Sequence, residues 1–495
     1  MVDLMTWLPL PLAAFLNPSM LAPPLLATSE AAEAGGFILA GVLVSLISVY
    51  LAAKIGGEIC ARINLPPVLG ELVGGVVVGV SALNLLVSPE TAGSADHSLI
   101  IRFLETTAGL SPELAPTVFE AESEVISVLS ELGVIILLFE IGLESDLKEL
   151  IRVGPQAAIV AVIGVAVPFA AGTAGLIAFF GVATVPAIFA GAALTATSIG
   201  ITAKVLAELQ QLKTKEGQII IGAAVLDDVL GIIVLAVVAS LAKTGEIQIS
   251  NVIYLIVGAA SFLIGSILLG RLLSPVFVSL VNQLQTRGQL ILTSLVFAFT
   301  LSYIASAIQL EAILGAFAAG LILAETEKRH ELEEQVLPIA DMLVPVFFVT
   351  VGASTDLSVL NPTVPSNREG LIIAAFLIVV AIIGKVVTGF TVFGQPGINR
   401  LAIGVGMIPR GEVGLVFAGV GSASGVLSES LEAAIIMMVI LTTFVAPPLL
   451  RVVFQKDSDS SQGLQPSATA LSGADGATLN AQPEQTALED SENKS

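Results

Sequence analysis

Apolar stretches of roughly 20 residues, the length a helix needs to cross a bilayer core, recur along nearly the whole chain. Their positions predict thirteen helical spans, at about 36–55, 66–88, 123–144, 153–181, 184–209, 216–242, 250–271, 288–308, 310–325, 333–353, 369–394, 398–425 and 428–453. A membrane barrel would alternate apolar and polar residues with period two, and these stretches do not. The polar positions between them carry a second signal. Basic residues collect in alternate connections, among them Lys54, Arg62, Lys148, Arg152, Lys213, Lys215, Lys328 and Arg329, whereas the other connections hold only Arg102, Lys243 and Arg368. Basic loops stay on the cytoplasmic side, so the N-terminus is expected outside and the C-terminus in the cytoplasm. The pattern therefore predicts an all-α integral membrane protein.

Composition agrees: 55% of the 495 residues are hydrophobic and 12% are charged, against about 25% charged in soluble domains. The net charge of −21 lies mostly in loops, in the segment before residue 123 and in the tail. No basic patch offers a surface to nucleic acid. One cysteine, Cys60, excludes an intrachain disulfide and a cysteine metal cluster, and His97 and His330 fall in expected loops. The first 35 residues hold Trp7 and several prolines but no Lys or Arg, so they lack the positive start of a signal peptide and are expected to be an interfacial leader. The connection from Ser88 to Glu122 should carry a short surface helix around Leu99 to Leu104. Residues 454–495 are rich in Ser, Gly, Gln, Ala and acids and are expected to form a disordered cytoplasmic tail, too short for a nucleotide-binding domain and without a Gly-x-Gly-x-x-Gly motif.

Two spans do not read as continuous helix. Span five contains Thr195-Ala-Thr-Ser-Ile-Gly-Ile-Thr202, and span twelve contains Gly406-Met-Ile-Pro-Arg-Gly-Glu-Val-Gly414. Interrupted spans in corresponding positions of two halves point to a transport site. They lie seven spans apart, an odd number, so equivalent elements run through the bilayer in opposite directions. This is an inverted repeat with two crossing broken helices, in which span four matches eleven and span six matches thirteen. Glu412 is placed to offset the positive ends of the half-helices and Arg410 the negative ends. The plainer alternative is that Pro and Gly only kink packed helices.

Asp227 and Asp228 stand together in the apolar run from Ile219 to Leu241. A carboxylate at mid-membrane costs about 2.5–3.5 kcal/mol on insertion scales, so the two are expected to be functional. Lys385 is the lone cation of span eleven and needs an acidic partner. Neighbouring residues on a helix diverge by about 100°, so one aspartate can face Lys385 while the other faces a water-filled cavity lined by Thr197 and Ser198. Such carboxylates hold protons or a small cation at the same charge, and this competition is the basis of exchange. A static salt-bridged triad is the alternative, and the insertion cost weighs against it. Glu71, Glu131, Glu140, Glu144 and Asp341 are expected to be structural, and His330 to be a solvated loop histidine.

Over roughly residues 36–453 the chain resembles the second family of monovalent cation:proton antiporters. The resemblance rests on Pro66-Pro67-Val-Leu-Gly-Glu71, Leu138-Phe-Glu-Ile-Gly-Leu-Glu144, Thr195-Ala-Thr-Ser198, Leu226-Asp-Asp-Val229, Gly315-Ala-Phe-Ala-Ala-Gly320, Pro345-Val-Phe-Phe348 and Pro409-Arg-Gly-Glu-Val-Gly414. It implies the sodium/proton antiporter fold, with a core domain (spans at about 153–242 and 369–453), a dimerisation domain from the remaining spans, a homodimer and an elevator-like movement. It also implies that Asp228 binds the transported Na⁺ or Li⁺ with Thr197 and Ser198, and that Asp227 pairs with Lys385. The activity it implies is electrogenic exchange of Na⁺ (or Li⁺) for H⁺ across a bacterial inner membrane, or an internal one such as a thylakoid, with no cofactor and no enzymatic reaction. The potassium-efflux branch usually replaces the first aspartate and carries a nucleotide-binding domain, so a K⁺/H⁺ antiporter or gated K⁺ pathway ranks second. An intramembrane aspartyl protease would carry its aspartates on separate spans.

Overall fold

A computed structural model describes residues 25–89, 94–244, 249–361, 365–394 and 397–462. The chain divides into two compact units, Met1–Phe454 and Gln455–Ser495. Most of the expected leader, and the expected tail beyond residue 462, lie outside the described residues. Among the described residues there is helix and no strand, so the all-α expectation holds.

The elements in chain order are α1 (Leu25–Arg62), α2 (Pro67–Val78), α3 (Leu99–Thr107), α4 (Ala115–Glu144), α5 (Leu147–Arg152), α6 (Gly154–Phe180), α7 (Thr184–Ala193), α8 (Ile199–Glu208), α9 (Lys215–Thr244), α10 (Ile249–Gln283), α11 (Gln289–Ala307), α12 (Ala312–Leu323), α13 (Arg329–Ala353), α14 (Pro365–Gly389), α15 (Arg400–Gly406), α16 (Glu412–Ala423) and α17 (Glu429–Gln462). Every predicted span is occupied by helix. Among the described residues eight helices are long and apolar enough to cross a membrane unaided, and the remaining predicted crossings rest on shorter apolar helices such as Pro67–Val78 and Ala312–Leu323.

Several boundaries differ from the expectation: α2, expected to reach residue 88, ends at Val78, and α14, expected to reach 394, ends at Gly389. Helix α1 begins at Leu25, because Ala and Glu in Ala27-Thr-Ser-Glu-Ala-Ala-Glu-Ala34 favour helix without being apolar. Helix α10 runs through Pro275 to Gln283, and α17 continues to Gln462. The surface helix expected near Leu99 is α3, opened by Ser98, whose hydroxyl accepts from the backbone N–H of Ile101.

Two groups of neighbours organise the first unit. Helices α2, α4, α11, α12 and α13 pack on one another, and α6, α7, α9, α14, α15 and α16 form the second group. Several motifs behind the family resemblance prove to be packing devices. Gly142 on α4 and Gly320 on α12 face each other, and a Cβ on either would collide with the other helix backbone. Backbone approach of this kind drives helix association where lipid offers no hydrophobic gain. Outward-facing Leu39, Leu43, Ile47, Leu51, Ile55 and Ile59 form an exposed apolar stripe on α1 at four-residue spacing, as expected of a bilayer-facing helix.

Candidate ion-exchange site

The two breaks predicted in spans five and twelve exist and meet. Span five is divided into α7 and α8 by residues 194–198, and span twelve into α15 and α16 by residues 407–411. Each broken end leaves backbone groups without helical partners, and in lipid each unsatisfied group costs several kcal/mol. The two segments satisfy one another. The Thr197 hydroxyl donates to the Met407 carbonyl at 3.0 Å and the Thr202 hydroxyl to the Gly406 carbonyl at 3.0 Å. The Ser198 N–H donates to the Pro409 carbonyl at 2.8 Å. In the other direction, the Arg410 guanidinium donates to the Ala196 carbonyl. Arg410 thus meets a carbonyl end just beyond α7, the negative pole its charge was expected to offset. Thr443 on α17 fixes the loop from behind by donating its hydroxyl to the Arg410 carbonyl at 2.5 Å. Glu412 supplies the first residue of α16, and its side chain lies outside the described residues.

Helix α9 runs beside this crossing. Gly231, one turn beyond the aspartates, lies against Ala196 of the first break and Val413 in the first turn of α16. Asp227 is fully buried and Asp228 is 2% exposed. The Lys385 ammonium, also fully buried, lies 3.2 Å from both oxygens of Asp227. Arg410 is a second buried cation acting on Asp227. Thr197 and Ser198 are buried at the crossing. The structure pairs Asp227 with Lys385 and places Thr197, Ser198 and Arg410 at the crossing that α9 passes, with Asp228 the next residue of that helix; all six were picked from the sequence. The Thr197 hydroxyl is engaged with the Met407 carbonyl, and both Thr197 and Ser198 are buried where the lining of a water-filled cavity was expected.

Some participants were not foreseen. Gly164 on α6 makes the room in which Lys385 sits: a Cβ there would lie 3.3 Å from the ammonium nitrogen. Glu216 on α9 accepts from the N–H of Asn399 at 2.8 Å, and Asn399 caps α15 through the N–H of Ala402. Lys204, the single cation of α8, was passed over in the sequence although an intramembrane lysine is a signal. It faces the charges of Glu71, Glu140, Glu144 and Glu208. Glu71, Lys204 and Asp341 also line a cavity of about 640 Å³ with Lys54 and Glu58. Glu208 reaches α2 by accepting from the N–H of Val68 at 3.2 Å. Three of the acids expected to be structural thus share one lysine.

Two interrupted helices stitched together beside paired carboxylates, within a bundle of apolar helices, define a multi-pass secondary transporter of cations. The chain belongs to the sodium/hydrogen exchanger family, whose transmembrane model matches residues 42–456. It is 71% identical over 445 residues to the high-affinity Na(+)/H(+) antiporter NhaS3 of Synechocystis sp., covering 89% of this chain and 96% of that one. It is 32% identical over 411 residues to the Na(+)/H(+)-K(+) antiporter GerN of Bacillus cereus, covering 82% and 94%. The solved sodium proton antiporter MjNhaP1 of Methanocaldococcus jannaschii superimposes with a TM-score of 0.54 at 16% identity, over 88% of this chain and 98% of that one, and so shares the fold.

Proposed function

We propose that this chain exchanges Na⁺ or Li⁺ for H⁺, that Asp228 with Thr197 and Ser198 binds the cation, and that Asp227 with Lys385 couples proton movement to it. The observation that carries the reading is the buried Asp227–Lys385 pair beside the crossing, with a second buried carboxylate on the next residue. A carboxylate in this setting is neutralised either by a proton or by a small cation, so each ligand displaces the other. Hard oxygen donors suit sodium and lithium. If Lys385 gives up a proton when Asp227 is drawn away, more than one proton moves per cation and the cycle carries charge.

The rest of the reading follows from the same elements. The helices α6–α9 and α14–α17 form the moving core, and the other spans form the scaffold and the contact of a homodimer. The clustering of basic loops supports a cytoplasmic C-terminus and an outside N-terminus in a bacterial inner membrane or an internal one. No step of this cycle calls for a cofactor or an enzymatic reaction. Family membership, and relatives that are antiporters, support exchange over a gated K⁺ pathway.

The test is a proteoliposome assay with a pH-sensitive dye, adding Na⁺, Li⁺ and K⁺ in turn. Sodium-driven proton movement is expected, and it should vanish in Asp228→Asn while thermal unfolding in detergent stays near that of the parent. Full exchange in that variant removes Asp228 from the site. A K⁺ flux without proton movement would establish the channel reading instead.

A further inference from the structure

A cavity of about 200 Å³ separates the two helix groups on the side of α5, lined by Leu147, Leu150 and Ile151 of α5, Ala157 of α6, Leu226 of α9 and Phe317 of α12. Its wall is almost wholly hydrocarbon. Gly154, at the first position of α6, also borders it, and a Cβ there would meet nothing within 4 Å. The wall includes the residue directly before Asp227.

Helix α5 gives this cavity an asymmetric entrance. Leu147, Leu150 and Ile151 recur at three- and four-residue spacing and occupy one face. Lys148 and Arg152, four residues apart, occupy the adjoining flank, and both are exposed. Arg152 makes only a 3.5 Å contact with Glu149, and its side chain remains 69% exposed. Asp146 is engaged in capping the helix through the N–H groups of Lys148 and Glu149. Basic residues that flank apolar membrane segments attract anionic headgroups.

We propose that this cavity binds one anionic phospholipid, with an acyl chain between α5, α9 and α12 and its phosphate over Lys148 and Arg152. The occupant is argued from two complementary features: a hydrocarbon-lined recess in a protein surrounded by acyl chains, and a pair of exposed cations at its edge. The lipid lies between the helix groups that the proposed function moves past one another. Its consequence for transport rests on that reading, whereas its binding does not. Bound lipid would hold α9 against α12, so exchange should respond to the anionic fraction of the bilayer.

The experiment is native mass spectrometry of the full-length protein released from nanodiscs of phosphatidylglycerol mixed equally with phosphatidylcholine. The expected result is one phosphatidylglycerol retained at least five-fold over phosphatidylcholine. Lys148→Gln with Arg152→Gln should abolish the preference. Gly154→Leu should fill the recess and abolish retention with the basic pair intact. Circular dichroism and thermal unfolding of each variant check that it is folded. Equal retention of the two lipids, or unchanged retention of phosphatidylglycerol in folded Gly154→Leu, overturns the proposal. If the lipid binds as expected but Na⁺-driven exchange is the same with and without phosphatidylglycerol, the site stands and its role in transport is rejected.

Discussion

Lys385→Gln strands Asp227 in the interior. Neither side chain of the pair has any solvent exposure, and the ammonium lies 3.2 Å from each carboxylate oxygen. Removing one member of a buried pair typically costs about 3–5 kcal/mol, because the remaining charge loses its partner. The expected loss is taken at the lower end of that range, about 3 kcal/mol. This is roughly a 140-fold fall in the ratio of folded to unfolded protein. Asp227→Asn should cost a similar amount by stranding Lys385. The double variant strands neither charge, so its loss should fall short of the sum of the single losses by about 2–3 kcal/mol. Equilibrium unfolding of the four proteins in mixed micelles measures that difference. Currents from the same proteins on a solid-supported membrane report whether charge moved per sodium drops when the lysine is lost. Strictly additive stability losses would refute the claim that the pair acts as a unit. An unchanged current in Lys385→Gln would remove the lysine from proton coupling.

Three further outcomes follow from the geometry. Gly164→Ala brings a methyl within 3.3 Å of the Lys385 ammonium, tighter than ordinary contact, and should slow sodium-driven exchange several-fold while a control Gly258→Ala on α10, whose Cβ meets nothing within 4 Å, does not. Thr197→Val deprives the Met407 carbonyl of its donor at a cost of about 1–3 kcal/mol, measured by the same unfolding titration, and Thr202→Val should do the same at Gly406. Glu208→Ala removes the acceptor for the Val68 N–H and should cost about 0.5–2 kcal/mol, with increased amide exchange at the start of α2 as its local signature.

The site was legible in the sequence where it violated the surrounding pattern. Asp227, Asp228 and Lys385 announce themselves because charges in an apolar run are expensive, and Pro409 with its glycines announces a break. The partners of Thr197, Thr202 and Arg410 were not legible. Each bonds a backbone carbonyl on a distant segment, and a carbonyl carries no side-chain identity to mark it. Gly164 was silent for a related reason, since its contribution is the absence of a methyl beside one particular ammonium, and nothing distinguishes it in sequence from the packing glycines. Helix ends were misjudged where residues form helix without being apolar, as in the first turns of α1. Lys204, inside the predicted span 184–209, could have been found by the same rule that exposed Lys385.

The reciprocal bonding of residues 194–198 and 407–411 also constrains inheritance. Thr197 depends on a carbonyl 210 positions later in the chain, and Ala196 on a guanidinium 214 positions later. A hybrid that took its first half from one ancestor and its second from a distant cousin would join loops never selected together. Because every acceptor is a main-chain carbonyl, the backbone course of each loop must be inherited with the other, and the donors Thr197, Thr202 and Arg410 should stay fixed while the residues lending the carbonyls vary.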